Sequence, residues 1–255
     1  MAEKKVALIS GGRRGIGRGV ALALAGSGFD LIINDIVRDD YAEATLAMLA
    51  ERGAQAHFVA CDLSDLSTHA RLVSAAYDHF GRLDCVVNNA GRMCERGDLL
   101  LATPEDFDAV LGLNLRATFF LSQEAARRMI AENPAREGRC IITISSANSV
   151  MVSTEKSSYC LSKSALSMMV KLFGVRLAEH NIASFEIRPG FIETEMSQPV
   201  RGRFTEMIEA GATPIRRWGQ AHDVGHVVAS LATGALPYSI GQPIHVDGGL
   251  LVHRL

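Results

Sequence analysis

Hydrophobic residues in this chain fall into blocks of four to seven, and the stretches between carry apolar positions at helical spacing. The segments "KVALI", "DLIIND", "AHFVAC", "LDCVVNN", "RCIITIS", "ASFEIR" and a short "PIHVDGG" read as seven strands. Near-continuous apolar strands are buried on both faces, the mark of a parallel sheet. A glycine loop leads into "VALALAGSG"; "EATLAMLAERG" reads as a helix closed by Gly53, and "THARLVSAAYDHFG" as another. Thr103 is placed as the N-cap of a long helix with Pro104 at its first position. A further helix spans about 157–180. Alternation from end to end, with no repeat or linker, predicts one α/β domain over 1–255, a doubly wound parallel seven-stranded sheet with helices on both faces. The stretch 195–218 breaks the pattern: it is weakly helical and interrupted by Pro199 and Pro214. It suits a substrate flap over a pocket, or a helical insertion that simply packs.

Composition narrows the function. A hydrophobic content of 48% over 255 residues supplies one large core and excludes intrinsic disorder. A net charge of −2 with both signs interspersed points away from nucleic acid and from a polybasic membrane anchor. No stretch nears the roughly 18 apolar residues of a membrane-spanning helix, and the start does not read as a signal peptide. Cys61, Cys85, Cys94, Cys140 and Cys160 are scattered singly, without the CxxC spacing of a zinc site. A cytoplasmic protein with reduced cysteines and no metal is expected.

Candidate chemistry begins at "SGGRRGIGRG", where Gly11, Gly15 and Gly17 follow a strand and open a helix. Such a turn lets the backbone approach a pyrophosphate, and the helix N-terminus presents N–H groups to it. The second strand ends at Asp35, where a carboxylate accepts hydrogen bonds from ribose hydroxyls and disfavours a 2′-phosphate, so NAD is favoured over NADP. Arg13 and Arg14 pull the other way, since a guanidinium there can clamp a 2′-phosphate; equally, one can stack on adenine or face solvent. Asp62, ending the third strand, is either an adenine contact or a cap, with Ser64 and Asp65 as stronger cap candidates.

Further along, "YCLSK" places Tyr159 and Lys163 one helical turn apart, so that an ammonium can favour the phenolate and make a general acid or base. Ser146 ends the fifth strand, where a hydroxyl can hold a substrate oxygen. "VVNNAG" ends the fourth strand with the tight turn Asn89, Ala90, Gly91. Asn114 lies mid-helix, as either a functional amide or a satisfied core asparagine.

Together these motifs resemble the short-chain dehydrogenase/reductase family and its Rossmann fold, over nearly the whole sequence. The resemblance implies Tyr159 as proton donor or acceptor, Lys163 lowering its pKa and touching the nicotinamide ribose, Ser146 orienting the carbonyl, and Asn114 holding a relay water. It implies nucleotide contacts at Gly11, Arg14, Gly15, Ile16, Gly17, Asp35, Asp62, Asn89, Ala90 and Gly91, and, from "RPGFIET", at Pro189, Gly190, Ile192 and Thr194. A homotetramer is implied too, built on helices near 104–131 and 157–180 and on the ending "HVDGGLLVHRL".

Within the family, "GGRRGIG", "SANSVMVS" and "ATPIRRWGQ" are most similar to the group labelled 3-ketoacyl-acyl-carrier-protein reductase. An acyl-thioester substrate on a carrier would need a basic patch, and Arg127, Arg128, Arg136 and Arg139 are candidates. Asp35 and "AEHN" depart from the carrier-dependent pattern. The alternative is an NAD-dependent dehydrogenase of a small polyol, sugar or hydroxy acid, its pocket walled by 92–98, 147–153 and 195–218, with Arg96 gripping an anion. A non-catalytic nucleotide sensor is the reading of another class; such proteins typically lack the tyrosine or the lysine, and this chain has both.

Overall fold

Strand residues alternate between two cores because successive side chains point to opposite faces. Ala7 and Ile9 of the first strand join one cluster, with residues from the helices that pack there; Val6 and Leu8 join the other. This computed structural model describes residues 4–133 and 136–253. The last residues of the predicted tetramer ending, Arg254 and Leu255, lie outside the described residues.

The strands are β1 (Lys5–Ser10), β2 (Phe29–Asp35), β3 (Ala56–Ala60), β4 (Cys85–Asn88), β5 (Arg139–Ile144), β6 (Ile182–Pro189) and β7 (Pro243–Val246). They form one parallel sheet in the order β3-β2-β1-β4-β5-β6-β7. The helices are α1 (Gly15–Gly26), α2 (Asp40–Glu51), α3 (His69–Phe80), α4 (Pro104–Leu111), α5 (Thr118–Glu132), α6 (Ser157–Leu177), α7 (Arg201–Glu209) and α8 (Ala221–Ala232). One core lies under α1, α2 and α8, the other under α3, α5 and α6. The strand order reverses direction between β1 and β4, which opens a crevice at the carboxyl ends of the strands.

The predicted long helix from Pro104 is interrupted. Thr103 caps α4 by accepting from Asp106 N, but a π turn over Gly112–Ala117 separates α4 from α5 and contains Asn114. The helix predicted over 157–180 ends as α6 at Leu177, then one 3₁₀ turn. Segment 195–218 holds a 3₁₀ stretch, Glu195–Val200, followed by α7. Helix α8 had no sequence expectation of its own. Asp65 is the cap in "CDLSD", accepting from Ser67 N, while Asp62 accepts from Ser64 N at 2.8 Å. Cys85 and Cys140 face each other across paired strands, Sγ to Sγ 3.5 Å, as free thiols.

Candidate active site

The crevice is a cleft of about 600 Å³ over the carboxyl rim, and every predicted site residue except Asn114 lines it. Its nucleotide half is built by close backbone approach. Gly11 adopts φ +65°, and a Cβ there would lie 2.9 Å from Ala90 Cα; a Cβ at Gly17 would lie 2.0 Å from Gly11 O. Ser10 and Asn89 stitch the two loops together. Ser10 Oγ accepts from Asn89 N (3.0 Å) and Ala90 N (3.1 Å), and Asn89 Nδ2 donates to Gly11 O (2.8 Å). Asn89 is therefore also a brace of the cradle. Arg14 is the N-cap residue of α1 and lends no side-chain acceptor, so the first-turn amides face the cleft. These features fit a dinucleotide: a tight glycine cradle, a helix N-terminus and a carboxylate at the end of β2.

The paired arginines separate. Arg14 is exposed, its guanidinium 5.6 Å from the centroid of the Tyr41 ring. Arg13 sits between two carboxylates, a role not among those expected of it: Nε is 3.3 Å from Asp35 Oδ1, and Nη1 donates to Asp39 Oδ2. Asp39 also caps α2, accepting from Ala42 N at 3.2 Å.

In the other half, Lys163 is buried, donates to Ile144 O at 3.1 Å and lies 5.5 Å from the centroid of the Tyr159 ring. The two side chains share the cleft, as the spacing predicts, but the electrostatics differ from the expectation of an ammonium-lowered phenol. Burial pushes Tyr159 up to about 12, against a smaller lowering by hydrogen bonding to Ser146. Burial likewise pulls Lys163 down to about 8, countered by the negative charge of Glu186. Desolvation is the largest influence at both groups.

Glu186 was not picked out from sequence. It is fully buried and accepts from Ser145 Oγ (2.5 Å), Ser167 Oγ (2.8 Å) and Arg188 Nε (2.8 Å). Asn114 is fully buried behind the cleft wall. Its Oδ1 accepts from Arg92 N (2.8 Å), and its Nδ2 donates to Arg92 O (3.0 Å) and Ser162 Oγ (3.1 Å). It thus ties the loop after β4 to α6, which is the satisfied-amide reading. Phe191, Phe204 and Trp218 form an aromatic wall, with Phe191 and Phe204 stacked at 4.5 Å.

The basic patch dissolves. Arg139 is buried and donates to Met129 O, Asn133 O and His180 O. Arg128 pairs with Glu132 at 2.8 Å, and Arg136 lies 3.8 Å from Asp84. Of the four, Arg127 alone is exposed.

A dinucleotide cradle facing a tyrosine, a lysine and a serine in one cleft defines a nicotinamide-dependent oxidoreductase of alcohols and ketones. Comparison with known proteins agrees. The family model described as enoyl-(acyl carrier protein) reductase matches residues 11–251. A 3-oxoacyl-[acyl-carrier protein] reductase from Brucella melitensis, solved in complex with NAD, is 45% identical with a TM-score of 0.95, covering 100% of both chains. A 2-dehydro-3-deoxy-D-gluconate 5-dehydrogenase from Dickeya dadantii (strain 3937) is 36% identical over 98% of this chain and 96% of its own length. A structure from Agrobacterium tumefaciens with bound NADP is 28% identical, TM-score 0.87, covering 99% of this chain and 98% of that one. The chain belongs to the short-chain dehydrogenase/reductase family. No helix among the described residues is long and apolar enough to cross a membrane.

Proposed function

We propose that this enzyme interconverts a 3-oxoacyl-type ketone and its secondary alcohol with NAD(H), inside the cytoplasm. The observation that carries the reading is the convergence of Ser146, Tyr159 and Lys163 on a cleft whose other end holds Asp35. When bound, the nicotinamide supplies or accepts the hydride. In reduction, Tyr159 releases its hydroxyl proton to the carbonyl oxygen as that oxygen gains charge, while Ser146 holds the oxygen by hydrogen bonding. One hydride and one proton thus turn the ketone into the alcohol, and oxidation reverses both transfers. Lys163 spends one donor on Ile144 O and keeps two for the ribose and for returning a proton to Tyr159. Asn114 acts as a positioning residue.

The carboxylate of Asp35 faces the ribose end, and Arg13 is already claimed by Asp35 and Asp39. A 2′-phosphate there would meet acidic groups without a free guanidinium from Arg13, which supports NAD. Segment 195–218 serves as the substrate flap. A second reading, a small hydroxy acid without a carrier, is supported by one observation: Arg139 is buried on backbone carbonyls, and Arg128 and Arg136 face carboxylates.

Steady-state rates with NADH and NADPH test the cofactor; NADH is expected to give the higher kcat/KM, and a tenfold advantage for NADPH would overturn the reading of Asp35. Tyr159→Phe is expected to lose at least about 10²-fold in turnover, the scale of general acid–base catalysis, while still binding NADH in a fluorescence titration. Retained turnover would remove Tyr159 from the proposed chemistry.

A further inference from the structure

One cation in the cleft has no place in this mechanism. Lys156 immediately precedes α6, three residues before Tyr159, and lines the same cleft. It is 8% exposed, and among the described residues no hydrogen bond or ion pair holds its ammonium, which rests 5.5 Å from the centroid of the Phe204 ring. The adjacent acid does not serve it: Glu155 lies 3.1 Å from Arg203 Nη1 and 3.7 Å from Arg96 Nη1. This end of the cleft therefore presents three cations, Arg96, Lys156 and Arg203, against one carboxylate. Burial lowers the proton affinity of Lys156, and repulsion from Arg96 and Arg203 lowers it further, while the nearby thiols of Cys160 and Cys94 oppose this. An ammonium taken out of water without a counter-ion is costly, and an arriving anion relieves that cost.

We propose that Lys156, flanked by Arg96 and Arg203, is an anion subsite that receives a carboxylate on the substrate's own carbon skeleton. The proposal rests on the ketone–alcohol reading above and names its substrate class: a short oxo acid and the matching hydroxy acid. Lys156 and Tyr159 lie three residues apart on the same cleft wall, so a substrate that offers its ketone to Tyr159 and its carboxylate to Lys156 bridges two neighbouring positions of that wall. A short oxo acid carries its anion beside the ketone, whereas the phosphate of a carrier arm lies at the far end of a long thioester. Phe191, Phe204 and Trp218 make the adjoining wall apolar, which suits a short hydrocarbon skeleton.

The test compares acetoacetate, its neutral ethyl ester and acetoacetyl-coenzyme A as ketones for the NADH-loaded enzyme. Lys156→Gln is expected to lower the ratio of kcat/KM for acetoacetate over ethyl acetoacetate by about 10–100-fold, the scale of a lost hydrogen bond to a charged group. Lys156→Arg is expected to restore most of that ratio. An unchanged ratio in Lys156→Gln overturns the subsite, as does a preference for acetoacetyl-coenzyme A that ignores the substitution. Trp218, the only tryptophan of the chain, lines the cleft and gives a readout without turnover. With NAD⁺ bound, acetoacetate is expected to perturb its fluorescence at lower concentration in the wild type than in Lys156→Gln, and superimposable curves overturn the proposal. Failure to reduce any of the three ketones counts against the proposed function, while the fluorescence titration still decides the subsite.

Discussion

The Tyr159 hydroxyl lies between two opposed influences: burial holds its proton on, and hydrogen bonding to Ser146 works to release it. Oxidation of an alcohol needs the phenolate and reduction needs the phenol. Removing Ser146 therefore moves the oxidation profile to higher pH and lets reduction persist further into alkali. Ser146→Ala is expected to show that alkaline displacement, measured as kcat/KM against pH, together with a loss of about 10²–10³-fold for a missing oxyanion donor. An unmoved profile would mean that Ser146 has no hold on the titration. Ser146, Tyr159 and Lys163 were legible in the sequence because a strand end and a helical turn are local features. Lys156 and Glu186 were not. A charged side chain reads as solvated until tertiary packing buries it, and the packing that buries Lys156 comes from α7, far along the chain. Burial, which raises the Tyr159 phenol and lowers the Lys163 ammonium, is likewise invisible in the helical spacing of the pair.

Elements were recovered where a single period ran unbroken. The first six strands fall within a residue or two of expectation, while the short seventh ends at Val246, three residues before the end of "PIHVDGG". The π turn at Gly112–Ala117 was hidden, because the apolar spacing carries on across it. Helix α8 went unremarked for a related reason: Gly225 in its middle reads as a helix breaker, yet it lets α8 meet α1 closely. A Cβ at Gly225 would lie 2.5 Å from Gly19 O, a backbone atom that cannot rotate away. Gly225→Ala is therefore expected to destabilise the fold by about 1–3 kcal/mol despite better helix propensity. Gly26, at the exposed end of α1, has nothing within 4 Å of such a Cβ. Gly26→Ala is expected to stabilise by about 0.4–1 kcal/mol through the unfolded chain. Thermal melts of the two variants should move in opposite directions, and a common direction would refute the packing argument for Gly225.

At the scale of the whole molecule, α6 turns one face to the cleft and another outward. Leu161, Met168, Leu172 and Val175 are all more than half exposed and fall on one stripe of the helix, with Phe120 of α5 also exposed at 38%. An exposed apolar stripe of this kind is what a subunit interface requires. The protein is expected to run as a tetramer in light scattering at micromolar concentration, and Leu172→Glu to shift it to smaller species. A wild-type monomer would dispose of that expectation. The double hold on Arg13 reaches beyond binding. Its two carboxylates come from different elements, and one of them, Asp39, also anchors the start of α2. Substitutions aimed at admitting a 2′-phosphate would thus meet an obstacle. Neutralising Asp35 alone leaves the guanidinium tethered at Asp39, and replacing Asp39 as well strips a helix of a cap worth about 1 kcal/mol. Any exchange at these two carboxylates that alters coenzyme choice is therefore expected to register as a change in thermal stability as well.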